Sequence, residues 1–236
     1  MTETGPSPAT EALRAAAPVP DVPEAFAALV AEWFTARPGE RFTMVLSGGP
    51  TAEACYERTA VLPAGAVDWS LVDVFMGDER MVPADDPDAN QRLVREALVD
   101  KVGCRFTPMP TDGDPGACAA AYQTVLAGVV AGPGLDLVHL GMGPDGHTAS
   151  LFPGAPSLDA PPDQLVATTT DPNGRNPHPR LTLTLGAIDR ARLAVFTVAG
   201  ETKREAVNRL LAGEDLPAAR VRAGEVRWLI DGEARG

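Results

Sequence analysis

LDLVHLGMGPDGHTASLFPG, residues 135–154, decides how the rest of the chain is read. Its first six residues form a short apolar run of the length of a buried strand. Gly141-Met142-Gly143-Pro144-Asp145-Gly146 follows and matches G-x-G-x-x-G letter for letter. A dinucleotide-binding turn of that form must open a full helix. Here Pro153 and Pro156 stop any helix within two turns, so the match does not signal a nicotinamide cofactor. What remains is a strand that ends in a glycine-rich turn and delivers His147, beside Asp145, to the edge of a sheet.

Outward from this segment, strand and helix patterns alternate. Helical spacing starts near Pro23 (Phe26, Leu29, Val30, Trp33, Phe34) and stops at Pro38-Gly39. RFTMVL (41–46) reads as a strand and Pro50 to about Thr59 as a helix. LVDVFM (71–76) is a strand, 88–101 a helix and 117–130 another. After 154 come a loop-rich stretch with one short strand near 165–168, a Thr-rich strand at 181–185, a strand at 193–198, a helix to about Leu211, and a last strand at 225–230. Such alternation predicts an α/β class fold: a single-domain, Rossmann-like three-layer sandwich around a mostly parallel sheet. Residues 1–21, rich in Pro, Ala and Thr, read as an irregular or disordered lead-in to one domain over 22–236.

In open parallel sheets, ligands bind beyond the carboxyl ends of the strands. Four loops there carry reactive chemistry: 47–51, 77–80, 141–148 and 200–203. Ser47-Gly48-Gly49-Pro50-Thr51 reads either as a phosphate cradle at a helix N-terminus or as an ordinary tight turn. Pro50 removes one N–H donor from it. Arg80, after Asp78-Glu79, is either a fork for phosphate or a partner of nearby acids. Lys203 stands in a helix first turn, unfavourable for the dipole, so it marks either a nearby anion or an exposed side chain. Arg180 opens the Thr-rich strand, on course for the same cleft.

Of the three histidines, His139 lies within a strand pattern and reads as core, and His178, between prolines, as a loop residue. His147 reads either as a general base tuned by Asp145 or as a structural residue of a tight turn. A free imidazole titrates near ~6.5, suited to taking a proton from water. No G-x-S-x-G elbow, H-E-x-x-H or zinc-spaced cysteine pair occurs, so activated water is the simplest chemistry and no metal is expected. Cys55, Cys104 and Cys118 read as free thiols of a reducing compartment.

The formal charge is −12. That balance disfavours nucleic acid and anionic membranes as partners. No basic leader or long apolar run is present. A cytoplasmic protein is expected.

GMGPDGHTASLFPG resembles the hallmark segment of the 6-phosphogluconolactonases. LSGGPT, VFMGDERMVPADDPDANQRLVREALV at 74–99, RLTLTLGAI at 180–188, the Gly200-to-Lys203 turn and LPAARVRAGEVRWLID at 216–231 are similar to that family in the same order. The resemblance spans residues 24–231. The family pattern has Ser or Thr where Pro50 stands and Pro where Gly186 stands. The resemblance implies the fold of glucosamine-6-phosphate deaminases and ribose-5-phosphate isomerases, no cofactor, and hydrolysis of 6-phosphogluconolactone in the oxidative pentose phosphate pathway. It implies His147 as catalytic base with Asp145 beside it. It also implies that Ser47, Gly48, Gly49, Thr51, Asp78, Arg80, Arg180 and Lys203 handle the phosphate and hydroxyls. The expected partner is a phosphorylated sugar lactone, bound by a monomer or weak homodimer. A deaminase or isomerase of the same fold is the main rival. Its pattern carries Glu five residues after the histidine, where this chain has Phe152. A non-catalytic sugar-phosphate-binding module is the second rival.

Overall fold

The computed structural model describes residues 6–132, 134–174 and 177–236. In chain order the helices and strands begin with α1 (Pro8–Ala15), α2 (Val22–Thr35), β1 (Phe42–Leu46) and α3 (Pro50–Ala60). Next come β2 (Val72–Met76), β3 (Asp78–Arg80), α4 (Asn90–Val94), a π turn (Arg95–Val99), α5 (Asp100–Val102), β4 (Arg105–Thr107) and α6 (Pro115–Ala131). The remainder is β5 (Leu135–Leu140), β6 (Val166–Thr169), β7 (Arg180–Leu183), α7 (Leu185–Ile188), β8 (Ala191–Val198), α8 (Arg204–Leu211), β9 (Glu225–Ile230) and α9 (Gly232–Arg235).

Six strands form a parallel sheet in the order β4-β2-β1-β5-β8-β9. Every position of β1 and β5 is buried, so helices must cover both faces, as expected of a parallel sheet. The chain winds from β1 outward through β2 to β4, then returns to place β5 on the other side of β1. The direction of winding therefore reverses between β1 and β5. Loops leaving strands at such a switch point diverge and open a crevice. The four reactive loops follow β1, β2, β5 and β8, four adjacent strands, so topology alone gathers them at one end of the sheet.

A second sheet, β3-β7-β6, is antiparallel. The Asp78-Glu79-Arg80 segment, read from sequence as loop, is its first strand. Pairing with residues 180–182, about a hundred positions later, makes it one, and no local pattern reveals such a partner. The helix expected over 88–101 begins at Asn90 because the buried Glu79 carboxylate accepts the main-chain N–H groups of Asn90 and Gln91, both at 2.7 Å. A carboxylate on the unpaired N–H groups of a helix start satisfies donors and dipole together.

The lead-in over 1–21 is corrected in part. Residues 1–5 lie outside the described residues, but Pro8–Ala15 is a helix. Ser7 caps it by accepting the Thr10 N–H at 3.2 Å, with Pro8 at the first helical position. Ala9 and Leu13 are fully buried, Trp228 of β9 donates its indole N–H to Ala9 O at 2.9 Å, and Val19 N–H donates to Ile230 O at 2.8 Å. This segment covers the edge strand β9, which would otherwise present unpaired backbone groups. Among the described residues, no helix is long and apolar enough to cross a membrane.

Candidate active site

The turn after β5 folds His147 back onto its own start. Gly143 N–H donates to His147 O (2.8 Å), Gly146 N–H donates to Gly143 O (2.9 Å), and the Thr148 hydroxyl donates to Gly141 O (2.9 Å). Gly146 stands at φ +84°, where a side chain is strained. Gly143 is required for a different reason: a Cβ there would lie 2.1 Å from Cε1 and 2.2 Å from Nδ1 of His147. The second glycine of the apparent dinucleotide motif thus makes room for an imidazole rather than a pyrophosphate. Gly143→Ala is expected to displace the ring and lower turnover by roughly 10²-fold, as a ~1 Å misplacement of a reacting group does. Initial rates, with circular dichroism confirming a folded chain, check this, and near-normal turnover would show that the ring tolerates displacement.

Asp145 lies behind the ring rather than in the cavity wall. Its Oδ1 accepts from His147 Nδ1 at 2.6 Å and from the His147 N–H at 3.2 Å, and its Oδ2 accepts from Asn173 Nδ2 at 2.9 Å. Burial by itself would raise the Asp145 pKa. The hydrogen bond and charge of His147 outweigh it and hold the carboxyl well below the usual carboxylate range. An ionised Asp145 assigns the proton to Nδ1 and leaves Nε2 as the basic nitrogen. The ring packs at a tilt on Phe152, with centroids 4.8 Å apart.

The turn after β1 faces this histidine across the switch point. Gly49 precedes α3 at φ +108° and provides no side-chain cap, so the first N–H groups of the helix stay open to an anion. Pro50 takes the first helical position, where its missing N–H costs no helix bond. Gly48 has no room for a side chain, because a Cβ there would lie 1.8 Å from Asn90 Oδ1. Asn90 is itself fixed by donating to Asp78 O (3.0 Å) and Asp78 Oδ1 (3.2 Å). The Ser47 hydroxyl, expected to meet phosphate, donates instead to His139 O at 2.8 Å, so its single proton is used inside the sheet.

Two arginines face each other across the second sheet: Arg80 of β3 is directly opposite Arg180 of β7. Like charges in that position are destabilising unless an anion or carboxylate lies between or beside them. Asp78 supplies part of the compensation, its Oδ2 lying 3.7 Å from Arg180 Nη1 while accepting from the Ser150 hydroxyl at 2.6 Å. Burial lowers the Arg180 pKa; Asp78 opposes that shift and the Arg80 charge adds to it. Among the described residues, both Arg80 Nε and Arg180 Nε are buried without a partner. Arg80 Nη1 donates to the main-chain O of Asp88 at 2.5 Å, so one end of the fork is held by the loop that precedes α4.

These residues enclose a cavity of about 410 Å³. Ser47, Gly48, Gly49, Thr51, Asp78, Arg80, His147, Arg180 and Lys203 all line it. Lys203 ends a 3₁₀ turn, Glu201–Lys203, immediately before α8 rather than within its first turn. Sequence reasoning missed Asn90, Asp171 and Thr197, which also line the cavity. None has a chemical signature in isolation, and each is brought there by strand or loop placement. His178 lies instead beside Asp88, with Nε2 3.4 Å from Oδ2. His139 is fully buried, as its strand pattern suggests.

The arrangement offers a base held by a carboxylate, a cationic wall and a helix start open to an anion. Residues 16–229 match the protein family described as glucosamine-6-phosphate isomerases/6-phosphogluconolactonase. The 6-phosphogluconolactonase of Synechocystis sp. is 42% identical over 206 residues, covering 81% of this chain and 82% of the relative. That of Mycobacterium tuberculosis is 39% identical over 207 residues, covering 81% and 83%. Among solved structures, 6-phosphogluconolactonase from Thermotoga maritima superposes with a TM-score of 0.76 at 28% identity, covering 87% of this chain and 95% of the other.

Proposed function

This chain belongs to the family of glucosamine-6-phosphate isomerases and 6-phosphogluconolactonases, and we propose that it hydrolyses 6-phospho-D-glucono-1,5-lactone to 6-phosphogluconate with His147 as general base. The observation that carries this reading is the imidazole anchored through Nδ1 to Asp145, its Nε2 unbonded among the described residues, in the wall of a cavity lined by Arg80, Arg180 and Lys203. Phe152 occupies the place where the deaminase pattern has Glu, and it is 1% exposed against the His147 ring. An acid for proton transfer through an opened amino sugar is therefore missing there.

The reaction follows from these groups. The turn at 48–51, with Lys203, Arg180 and Arg80, holds the phosphate and so fixes C1 of the lactone near His147. His147 Nε2 takes a proton from water, and the resulting hydroxide adds to the C1 carbonyl. Donors in the cavity wall, main-chain N–H groups or a cation, stabilise the oxyanion of the tetrahedral intermediate. Its collapse breaks the bond from C1 to the ring oxygen. The imidazolium returns its proton to that oxygen, which becomes a hydroxyl, and the acid product ionises. No step requires a cofactor or metal.

Val61 and Val125 are the exposed large apolar side chains among the described residues, which supports a monomer or weak homodimer. Free Cys55, Cys104 and Cys118 support a reducing, cytoplasmic setting. The test is hydrolysis of freshly generated 6-phosphogluconolactone with spontaneous opening subtracted. Rapid turnover is expected. No acceleration, or ammonia released from glucosamine 6-phosphate, would overturn the reading. Lys203→Ala is expected to raise KM roughly tenfold with kcat changed less, the loss of one charge-assisted contact to phosphate. An unchanged KM would place Lys203 outside the phosphate seat.

A further inference from the structure

His139 is the one buried histidine to which the chemistry above gives no part. It sits in β5, the strand between β1 and β8, and is 0% exposed. Its Nε2 lies 2.7 Å from Thr197 Oγ1 of β8, and its Nδ1 lies 2.7 Å from the Tyr56 hydroxyl of α3. That hydroxyl also touches both main-chain groups of Ser47, accepting from its N–H at 2.9 Å and donating to its O at 2.8 Å. Ser47 closes the circle by donating its side-chain proton to His139 O.

Counting hydrogens gives this chain one direction. A phenol has a single proton, and here it goes to Ser47 O. The contact with His139 is then satisfied only if Nδ1 carries a proton and donates to the phenol oxygen. Nε2 is left as acceptor and takes the Thr197 hydroxyl proton. All four side chains are buried, each of these contacts has one donor and one acceptor, and Thr197 has a further hydrogen-bond contact with Cys55 of α3. A polar network of this kind, satisfied throughout and held between the apolar core and the cavity wall, specifies one geometry. Phe26 packs against the His139 ring with centroids 4.3 Å apart, and burial pushes the His139 pKa down to about 3, so the ring stays neutral.

We propose that Thr197, His139 and Tyr56 form a positioning relay that sets the conformation of the Ser47–Thr51 turn and thereby its grip on the substrate phosphate. This rests on that turn being the phosphate seat. The reason lies in what the turn lacks. Pro50 has no N–H, Gly48 and Gly49 are conformationally permissive, and the Ser47 hydroxyl faces the sheet. Little within the turn itself holds it in one shape. Tyr56, two turns along the helix that the turn begins, clamps both backbone groups of Ser47 and so fixes the start of the turn relative to α3. His139 and Thr197 in turn fix Tyr56 against two neighbouring strands. None of the three is a catalytic residue.

The experiment compares wild type with Tyr56→Phe, Thr197→Val and the double variant. It measures kcat and KM for 6-phosphogluconolactone and Kd for the product 6-phosphogluconate by titration calorimetry. Each single variant is expected to raise KM and product Kd about five- to tenfold, the size of one lost buried hydrogen bond, with kcat within about twofold. Because one relay is broken in each, the double variant is expected to resemble the worse single rather than the product of the two. Thr197→Val leaves both Tyr56 contacts with Ser47 in place; because Thr197 also lines the cavity and bonds to Cys55 of α3, an unchanged KM overturns the relay even if Tyr56→Phe does not fold, while a raised KM is assigned to the relay by its non-additivity with Tyr56→Phe. Unchanged KM and Kd in either folded variant overturn the relay, as do effects that multiply in the double variant or a loss confined to kcat. Failure of the underlying functional reading is distinguishable, because wild type itself would then neither turn over the lactone nor bind 6-phosphogluconate.

Discussion

His147→Ala is expected to lower turnover of 6-phosphogluconolactone by about 10²–10⁴-fold, the usual contribution of a positioned general base. The variant keeps the cationic wall and the α3 start, so KM and 6-phosphogluconate affinity are expected to change far less. The loss therefore falls on the chemical step, the pattern of an interaction made in the transition state. The fold should persist, because the ring packs on Phe152 at the cavity wall and its side chain is 25% exposed rather than part of the main core. Removing it opens a space beside Gly143, where the ring now fills the position that a Cβ would take. Added imidazole is expected to enter that space and restore part of the rate. Initial rates with spontaneous opening subtracted provide the measurement. Turnover within about tenfold of wild type would remove His147 from the mechanism, since a base worth less than that is not the principal one.

The same histidine shows where sequence reading succeeds and where it stops. A strand pattern, a glycine turn and an adjacent aspartate place His147 at a sheet edge without any structure, because each is a local signal. That Gly143 exists to admit the ring is not local in the same sense, since the motif's spacing equally fits a dinucleotide turn. The parallel sheet was legible because apolar runs buried on both faces read clearly. The short strands β3 and β4 were not, because three residues carry too little pattern and their pairing partners are distant. The cross-strand meeting of Arg80 and Arg180 depends on β3 and so was equally hidden. In contrast, α1 had a readable start in Ser7-Pro8, a capping residue before a proline at the first helical position. The low complexity of its surroundings masked it, and its burial depends on β9, more than two hundred residues later. His139 was legible as core, but its bonds to Tyr56 and Thr197 span 83 and 58 residues.

Asp145→Asn is expected to cost nearly as much as removing the base, with turnover falling about 10²–10⁴-fold and KM little changed. The substitution keeps the shape and removes two things. The first is charge: an ionised Asp145 stabilises the imidazolium that forms when Nε2 takes the proton, and a neutral amide does so far less. The second is tautomer. An amide has one oxygen, whereas three donors now reach this side chain: His147 Nδ1 and the His147 N–H at one end and Asn173 Nδ2 at the other. If the oxygen serves Asn173, the new amide N–H points at Nδ1, forces it to accept, and moves the proton to Nε2. The ring then has no basic nitrogen toward water. Asp145→Ala, which lets water reach Nδ1 and leaves the tautomer free, is therefore expected to retain at least as much activity as Asp145→Asn. Adding Asn173→Ala to Asp145→Asn frees the amide to turn its oxygen toward Nδ1 and is expected to recover part of the loss. The carboxyl also contributes to stability with a definite sign. Its folded pKa is depressed, so its contribution is present above the ordinary carboxylate range, is lost as pH falls through and below that range, and is absent at every pH in the asparagine variant. Thermal unfolding at neutral and acid pH measures that part, and initial rates measure the rest. Normal turnover in Asp145→Asn would mean that neither the charge nor the tautomer set by Asp145 matters to the base.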